Sequence, residues 1–221
     1  FVLPALVAIF GLIGIYASSG WLAWLANLFG MSWQGHIYGL SGILIAHLFF
    51  NIPLAAQLFL QSLQSIPYQQ RQLAAQLNLQ GWQFVKLVEW PAFRQQCLPT
   101  FSLIFMLCFT SFTVVLTLGG GPQYTTLETA IYQAILFEFD LPKAALFAML
   151  QFVFCLVLFS LTSRFSPSNQ NGLSNSNIWF EKPKSAVKIF HILVLLVFVF
   201  FLFSPVLNIL VSTLSSSSLL T

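Results

Sequence analysis

Long apolar runs separated by short polar stretches dominate this sequence. A helix needs roughly 20 apolar residues to cross a bilayer core of about 30 Å, and five runs approach or exceed that length. Their approximate positions are 2–17, 37–63, 98–118, 143–163 and 188–211. The last run is apolar on every side, whereas a membrane β-strand would alternate apolar and polar positions over about ten residues. The pattern predicts an all-α, polytopic helical membrane protein with about five transmembrane helices.

The amino-acid composition leads to the same class. Of the 221 residues, 58% are hydrophobic and only 6% are charged. A water-soluble domain with so few charged residues could not solvate its surface, so the lipid bilayer is the expected surrounding. The sequence opens at Phe1 inside an apolar run and ends in the Ser-rich stretch 212–221. We therefore expect a fragment, with more protein on both sides.

Polar residues inside the second run are candidates for function. Asn51, Pro53 and Gln57 occur there, and Pro53 predicts a kink or a break because proline lacks a backbone N–H. His47 lies in the same run, and an ionisable group at membrane depth marks a translocation pathway by default. His47 and Asn51 are therefore candidate pathway residues. The alternative for His47 is a neutral imidazole hydrogen-bonded to a neighbouring helix.

The distribution of basic residues predicts the orientation. Seven of the eight lie in, or at the edge of, the stretches that follow the second and fourth runs. Since Lys and Arg accumulate on the cytosolic side, residues 65–97 and 164–187 are expected in the cytosol, and residues 18–36 and 119–142 in the periplasm. The outer stretch carries Glu128, Glu138 and Asp140, which form either a solvated loop or an anionic funnel for a cationic substrate.

The remaining chemistry argues against several function classes. The net charge of +3 is modest, so we expect no nucleic-acid partner. The three cysteines are widely spaced, and neither they nor the histidines form a metal-ligand pattern, so no metal or cofactor is expected. The sequence has no Gly-x-x-x-x-Gly-Lys-Ser/Thr motif and no paired acids or nucleophile–base set within the runs. We expect no catalytic site in this chain.

The connection between the second and third runs is longer than a turn requires. It extends over about 35 residues, from Ser65 to Pro99, and loops of that length usually have a function. Pro67 suits a first helical turn, and apolar residues recur near helical spacing on both sides of Gly81. The connection is expected to form two short amphipathic helices.

Part of this connection resembles a known signature. The residues Gln72-Leu73-Ala74-Ala75-Gln76-Leu77-Asn78, then Trp82 and Pro91, are similar to the cytosolic signature of binding-protein-dependent ABC permeases. That signature reads Glu-Ala-Ala, three residues, Gly, then a hydrophobic stretch ending in Leu-Pro. Here Gln72 replaces Glu, Leu73 replaces the first Ala and Asn78 replaces Gly, although Asn tolerates the left-handed backbone that glycine adopts.

The resemblance implies a coupling loop at 65–97 that docks into a groove on an ATPase subunit. The residues assigned to this contact are Arg71, Gln72, Ala74, Ala75, Leu77, Asn78, Gly81, Trp82 and Pro91. In this family a pair of separate ATPase subunits supplies the energy, and a periplasmic substrate-binding protein delivers the solute. The expected location is the bacterial inner membrane.

The longer run 38–151 resembles the permease subunits of thiamine ABC importers, a branch close to the fused iron(III) permeases. The similar segments are Gln72–Pro91, Leu103–Thr117, Gly119–Pro122 and Ala130–Gln133, with Phe139-Asp140-Leu141. The implied fold is that of type I ABC importer permeases. Residues 1–163 would hold the later helices of a first repeat, 164–187 a polar linker and 188–221 the first helix of a second repeat. Iron(III) or another small solute, and a channel or membrane scaffold, are the alternatives to thiamine import.

Overall fold

The computed structural model describes residues 5–18, 20–30, 35, 37–79, 81–165 and 185–217. These residues form α-helices with short 3-10 and π segments, and contain no strand. The α-helices are α1 (Ala5–Tyr16), α2 (Trp21–Leu28), α3 (Leu40–Gln64), α4 (Tyr68–Gln76), α5 (Trp82–Phe84), α6 (Trp90–Phe109), α7 (Phe112–Leu118), α8 (Leu127–Leu136), α9 (Leu141–Phe165) and α10 (Ser185–Ser217). The predicted all-α class is confirmed.

The long helices account for the five predicted runs. Among the described residues, four segments are long and apolar enough to cross a bilayer: Ala5–Leu28, Leu40–Gln64, Leu141–Arg164 and Lys188–Val211. A fifth span results if the helix that ends at Phe109 and α7 form one bent crossing. The predicted number of about five spans agrees with this arrangement.

Helix α3 continues through Pro53 without a break. Proline deprives one carbonyl, four residues earlier, of its helical donor, but a single lost hydrogen bond need not end an apolar helix of 25 residues. Of the two outcomes expected near Pro53, the break is therefore wrong.

The predicted coupling loop, residues 65–97, which we call the coupling segment, also differs from the expectation of two short helices. α4 is separate, but the second helix does not stop: α5, a π-helical segment at Val85–Glu89 and α6 follow one another from Trp82 to Phe109. The widened π turn changes the hydrogen-bond register just before Pro91, which has no N–H to donate. The end of the coupling segment therefore runs directly into a membrane span.

The chain forms two compact units. The first comprises Phe1–Phe50, Thr110–Ala144 and Pro183–Thr221, and the second comprises Asn51–Phe109 and Ala145–Lys182. The core of the first unit contains the fully buried Ile9, Leu12 and Leu118, with other apolar residues of α1, α3 and α7.

In the first unit, α1 packs closely on α10. A Cβ atom added to Gly11 would lie 2.6 Å from the carbonyl oxygen of Pro205, and one added to Gly14 would overlap the side chain of Asn208. Small residues on one helix face allow two backbones to approach, which is the usual basis of helix contact inside a membrane. Gly11 and Gly14 therefore allow α1 to pack closely on α10.

In the second unit, aromatic contacts join the helices. Phe59 of α3 stacks on Phe93 of α6 with ring centroids 4.3 Å apart. Phe154 of α9 lies against Phe105 and Phe109 of α6, at 6.1 and 5.2 Å. Aromatic pairs at these distances add packing energy beyond the burial of their area.

We expect Gly11→Ala to destabilise the protein, because the new methyl group would lie 2.6 Å from the Pro205 carbonyl oxygen of α10. Overpacking of this kind costs about 1–3 kcal/mol. The measurement is thermal unfolding of the full-length permease in detergent. Val7→Leu is the control, since it enlarges an exposed side chain of the same helix and should leave the midpoint unchanged. Equal midpoints for the two variants would contradict the packing role.

Candidate coupling site

Helix α4 carries the first part of the predicted site. It begins after Pro67 and contains Arg71, Gln72, Ala74 and Ala75. Ala74 is 3% exposed and is the buried residue of this helix, whereas Gln72 and Ala75 are exposed. The retained alanine of the signature therefore packs inward, and its neighbours present a free surface.

The end of α4 explains the replacement of glycine by Asn78. The Asn78 N–H donates to the Ala75 carbonyl and the Leu79 N–H to the Ala74 carbonyl, both at 3.0 Å. This pair of hydrogen bonds is a Schellman cap, whose central residue needs a left-handed backbone. Asn78 has φ of +52°. The expectation that Asn fills a glycine position here is confirmed.

Gly81 redirects the chain from α4 into the next helix. Its φ of +57° and ψ of −125° lie outside the region that residues with a side chain favour. Trp82 follows as the first residue of α5, and the Val85 N–H donates to the Gly81 carbonyl at 3.2 Å. Asn78 and Gly81 thus both have a positive φ, at the end of α4 and at the start of α5.

An apolar surface lies around this turn. Leu73 is 57% exposed, Leu77 71% and Trp82 77%. We call these three residues the apolar cap. Tryptophan is seldom so accessible in a folded protein, and large exposed apolar side chains in a structured loop are typical of contact surfaces. Leu73 and Leu77 are one helical turn apart, so they share a face.

Two side-chain hydrogen bonds hold the segment to the membrane helices of the second unit. The Arg71 guanidinium donates from Nη2 to the Leu63 carbonyl at 2.6 Å, and the Ser62 hydroxyl donates to the Ala92 carbonyl at 2.9 Å. Sequence reasoning missed both contacts. Their acceptors are backbone carbonyls, which leave no signal in the pattern of residue types.

Pro91 lies apart from the turn in sequence, in the first turn of α6. With Arg94, Gln95 and Leu98 it lines an open groove of about 460 Å³. These residues recur at helical spacing, so the groove follows one face of α6.

The two candidate pathway residues make separate contacts. In the first unit, His47 Nε2 lies 3.2 Å from the hydroxyl of Ser111, the residue that precedes α7. In the second unit, the Asn51 amide donates to Cys108 Sγ at 3.3 Å, and Asn51 is 9% exposed. The interhelical hydrogen bond considered for His47 is therefore present. A role of either residue in the pathway stays a prediction.

Glu138 and Asp140, two of the acidic residues in residues 119–142, both have local contacts with Lys143. Glu138 forms an ion pair with Lys143 at 2.6 Å, and Asp140 accepts a hydrogen bond from the Lys143 N–H at 3.0 Å, at the start of α9. Both contacts favour the solvated-loop interpretation over the anionic funnel. Among the residues described, no three His, Cys, Asp or Glu side chains group as a metal site would require.

Comparison with known proteins identifies a family that this chain matches. A family model described as "Binding-protein-dependent transport system inner membrane component" matches residues 1–171, which include α1 to α9. The chain belongs to this family. With its long apolar helices it is an integral membrane protein of the type I permease fold, as predicted. No solved structure matches the chain at a significant level.

Individual permeases are also similar over much of the chain. The thiamine transport system permease protein ThiP of Haemophilus influenzae is 96% identical over all 221 residues, which are 41% of its own length. ThiP of Escherichia coli is 51% identical over 80% of the chain and 33% of its own length. ThiP of Brucella abortus is 38% identical over 97% of the chain and 40% of its own length. The chain therefore spans less than half of each relative.

We expect Asn78→Gly and Asn78→Val to differ sharply, although both remove the same amide. Glycine adopts a φ of +52° without strain, whereas a left-handed backbone costs a residue with a Cβ about 1–2 kcal/mol, and valine is β-branched. The measurement is amide hydrogen exchange of residues 74–79 in the full-length permease. Exchange should be about tenfold faster with valine and near the wild-type rate with glycine. If the two variants showed the same exchange rates, the left-handed backbone of the Schellman cap would not be what requires Asn at position 78.

Proposed function

We propose that this chain is part of the permease subunit of an ABC importer, and that it moves thiamine into the cytoplasm without catalysing a reaction itself. The observation that carries the proposal is the apolar cap of Leu73, Leu77 and Trp82, exposed on a structured turn between two membrane helices. Family membership supports it, and so do the relatives that are described as thiamine transport system permeases.

Energy would come from a separate pair of ATPase subunits that bind the coupling segment. The segment offers what a docking element needs: a capped helix, a turn fixed by Asn78 and Gly81, and large apolar side chains with little to cover them. Closure of the ATPases on ATP would displace α4 and rock the attached helices between outward-open and inward-open arrangements. The proposed docking site also includes residues that contact the ATPase or hold the segment in place: Arg71, Gln72, Ala75 and Pro91.

Thiamine as the cargo rests on the similarity to named relatives, with iron(III) or another small solute as the alternative. A periplasmic substrate-binding protein would deliver the cargo to the outer surface, as the family description implies. His47 and Asn51 are the proposed pathway residues, because polar side chains inside membrane helices are costly unless they serve packing or transport.

The division into repeats also stands as a proposal. Residues 1–163 would be the later helices of the first permease repeat and 164–187 a cytosolic linker, with a second repeat beginning at 188–221. The end of the family match at residue 171 supports a boundary in this stretch. Helix α10 would then be the first helix of the second repeat, packed on α1 of the first.

We expect Leu77→Glu and Trp82→Glu each to reduce ATPase copurification by tenfold or more, because a carboxylate would be buried at an apolar contact. An unpaired charge at a contact costs several kcal/mol, and each 1.4 kcal/mol is about tenfold in affinity. The measurement is the amount of ATPase retained by the tagged full-length permease, together with cellular uptake of labelled thiamine and labelled iron(III).

Gln83→Glu is the matched control, since it adds the same charge at an exposed polar position beside Trp82. It should retain the ATPase and take up thiamine but not iron(III). Retention of ATPase by both apolar-cap variants would refute docking at this turn, and uptake of iron(III) by the wild type would refute the choice of cargo.

The proposed orientation puts residues 65–97 and 164–187 in the cytosol and residues 18–36 and 119–142 in the periplasm. We expect a single cysteine at Gln123→Cys to react with a membrane-impermeant maleimide in intact cells. A single cysteine at Lys86→Cys should react only after the inner membrane is permeabilised, and both replaced side chains are exposed. A cysteine-free full-length permease is the background. Labelling of Lys86→Cys in intact cells would show that the proposed orientation is wrong.

A further inference from the structure

The last turn of α3 has carbonyl groups that the helix itself cannot satisfy, as every helix end does. The Gln61 carbonyl accepts from the Ser65 N–H at 3.0 Å, and the Ser62 carbonyl from the Ser65 hydroxyl at 2.8 Å. For the Leu63 carbonyl, the backbone offers only a long contact of 3.4 Å from the Ile66 N–H. The short hydrogen bond at this carbonyl comes from Arg71.

The Arg71 contact joins α3 and α4, which are separated by three residues of the chain. Arg71 lies in the first turn of α4, and its side chain reaches back to the Leu63 carbonyl at the end of α3. The N–O distance of 2.6 Å is short, and the donor is charged. The acceptor lies at the negative end of the helix dipole of α3, which strengthens the attraction to a cation.

The exposure of Arg71 agrees with an internal role. Arg71 is half-buried, whereas Gln72 and Leu73 beside it are exposed. The other basic residue of the turn region, Lys86, is also exposed. A cation that served only as a contact for a partner protein would not need to cover the end of a membrane helix.

We propose that Arg71 is a positioning residue that fastens the coupling helix α4 to the second membrane span, so that a displacement of α4 is passed to α3. The inference rests on the proposed coupling function and changes the role of Arg71 within it. Arg71 is the internal link of the coupling helix, and the apolar cap is the surface that the ATPase holds. Loss of Arg71 therefore uncouples transport without releasing the motor.

The test uses the full-length permease with its ATPase and its substrate-binding protein in proteoliposomes and compares Arg71→Met with Lys86→Met. Each variant removes one positive charge from the same segment, but only Arg71 makes the bond to the Leu63 carbonyl. The readouts are ATPase retained, ATP hydrolysed, and thiamine imported per ATP. For Arg71→Met we expect normal retention and continued hydrolysis, with thiamine imported per ATP reduced about tenfold, in line with the loss of a charge-assisted hydrogen bond. Lys86→Met should match the wild type.

Two conservative variants separate coupling from folding. Arg71→Lys keeps a charged donor on a long side chain and should restore at least half of the import per ATP. Arg71→Gln keeps a neutral donor and should give an intermediate value. The graded series answers the question even if Arg71→Met does not fold.

Different outcomes overturn different claims. If the Arg71 variants lose the ATPase as Leu77→Glu is expected to, Arg71 is a contact residue and the positioning role is wrong. Wild-type import per ATP in Arg71→Met would also refute the positioning role. If the wild-type permease itself retains no ATPase, the proposed function fails, independently of Arg71.

Discussion

The constraint on which this structure depends is that backbone polar groups cannot remain unpaired in lipid. A helix satisfies them within its own segment, which is why long apolar helices form the spans. The chain keeps its helices continuous even where proline removes a donor, as at Pro53, Pro99 and Pro205. A helix leaves the N–H groups of its first turn and the carbonyls of its last turn unpaired, so these groups need partners from outside the helix.

The coupling segment illustrates that principle at both ends of α4. At its start, Arg71 supplies a donor to the exposed end of α3, and at its close the Schellman cap at Asn78 satisfies the carbonyls of Ala74 and Ala75. The carbonyls of Ala74 and Ala75 are therefore paired, while the side chains of Leu77 and Trp82 stay exposed. A capped helix end with exposed apolar side chains can bind a partner protein at a small entropic cost, because few groups have to be ordered on binding.

Much of this arrangement follows from local patterns. The apolar runs predicted the spans because hydrophobic length is tied directly to bilayer thickness. The signature around Ala74 predicted the coupling segment, which stays a proposal, and the tolerance of Asn for positive φ correctly anticipated the backbone at Asn78. The second predicted amphipathic helix was wrong as a separate element. The π segment at Val85–Glu89 carries the helix through Pro91 into α6, and the pattern of apolar residues around Gly81 gave no sign of this.

By itself, the sequence determined the helical class and the approximate number of spans, and it predicted a coupling segment, since each depends on residues close together in the chain. Only the tertiary structure decided which groups meet. The bond from Arg71 to the Leu63 carbonyl and the approach of Gly11 to Pro205 join residues on different helices, and the hydrogen bond between His47 and Ser111 joins α3 to the residue that precedes α7. A backbone carbonyl is the same at every position, so residue types cannot reveal which one a side chain will find.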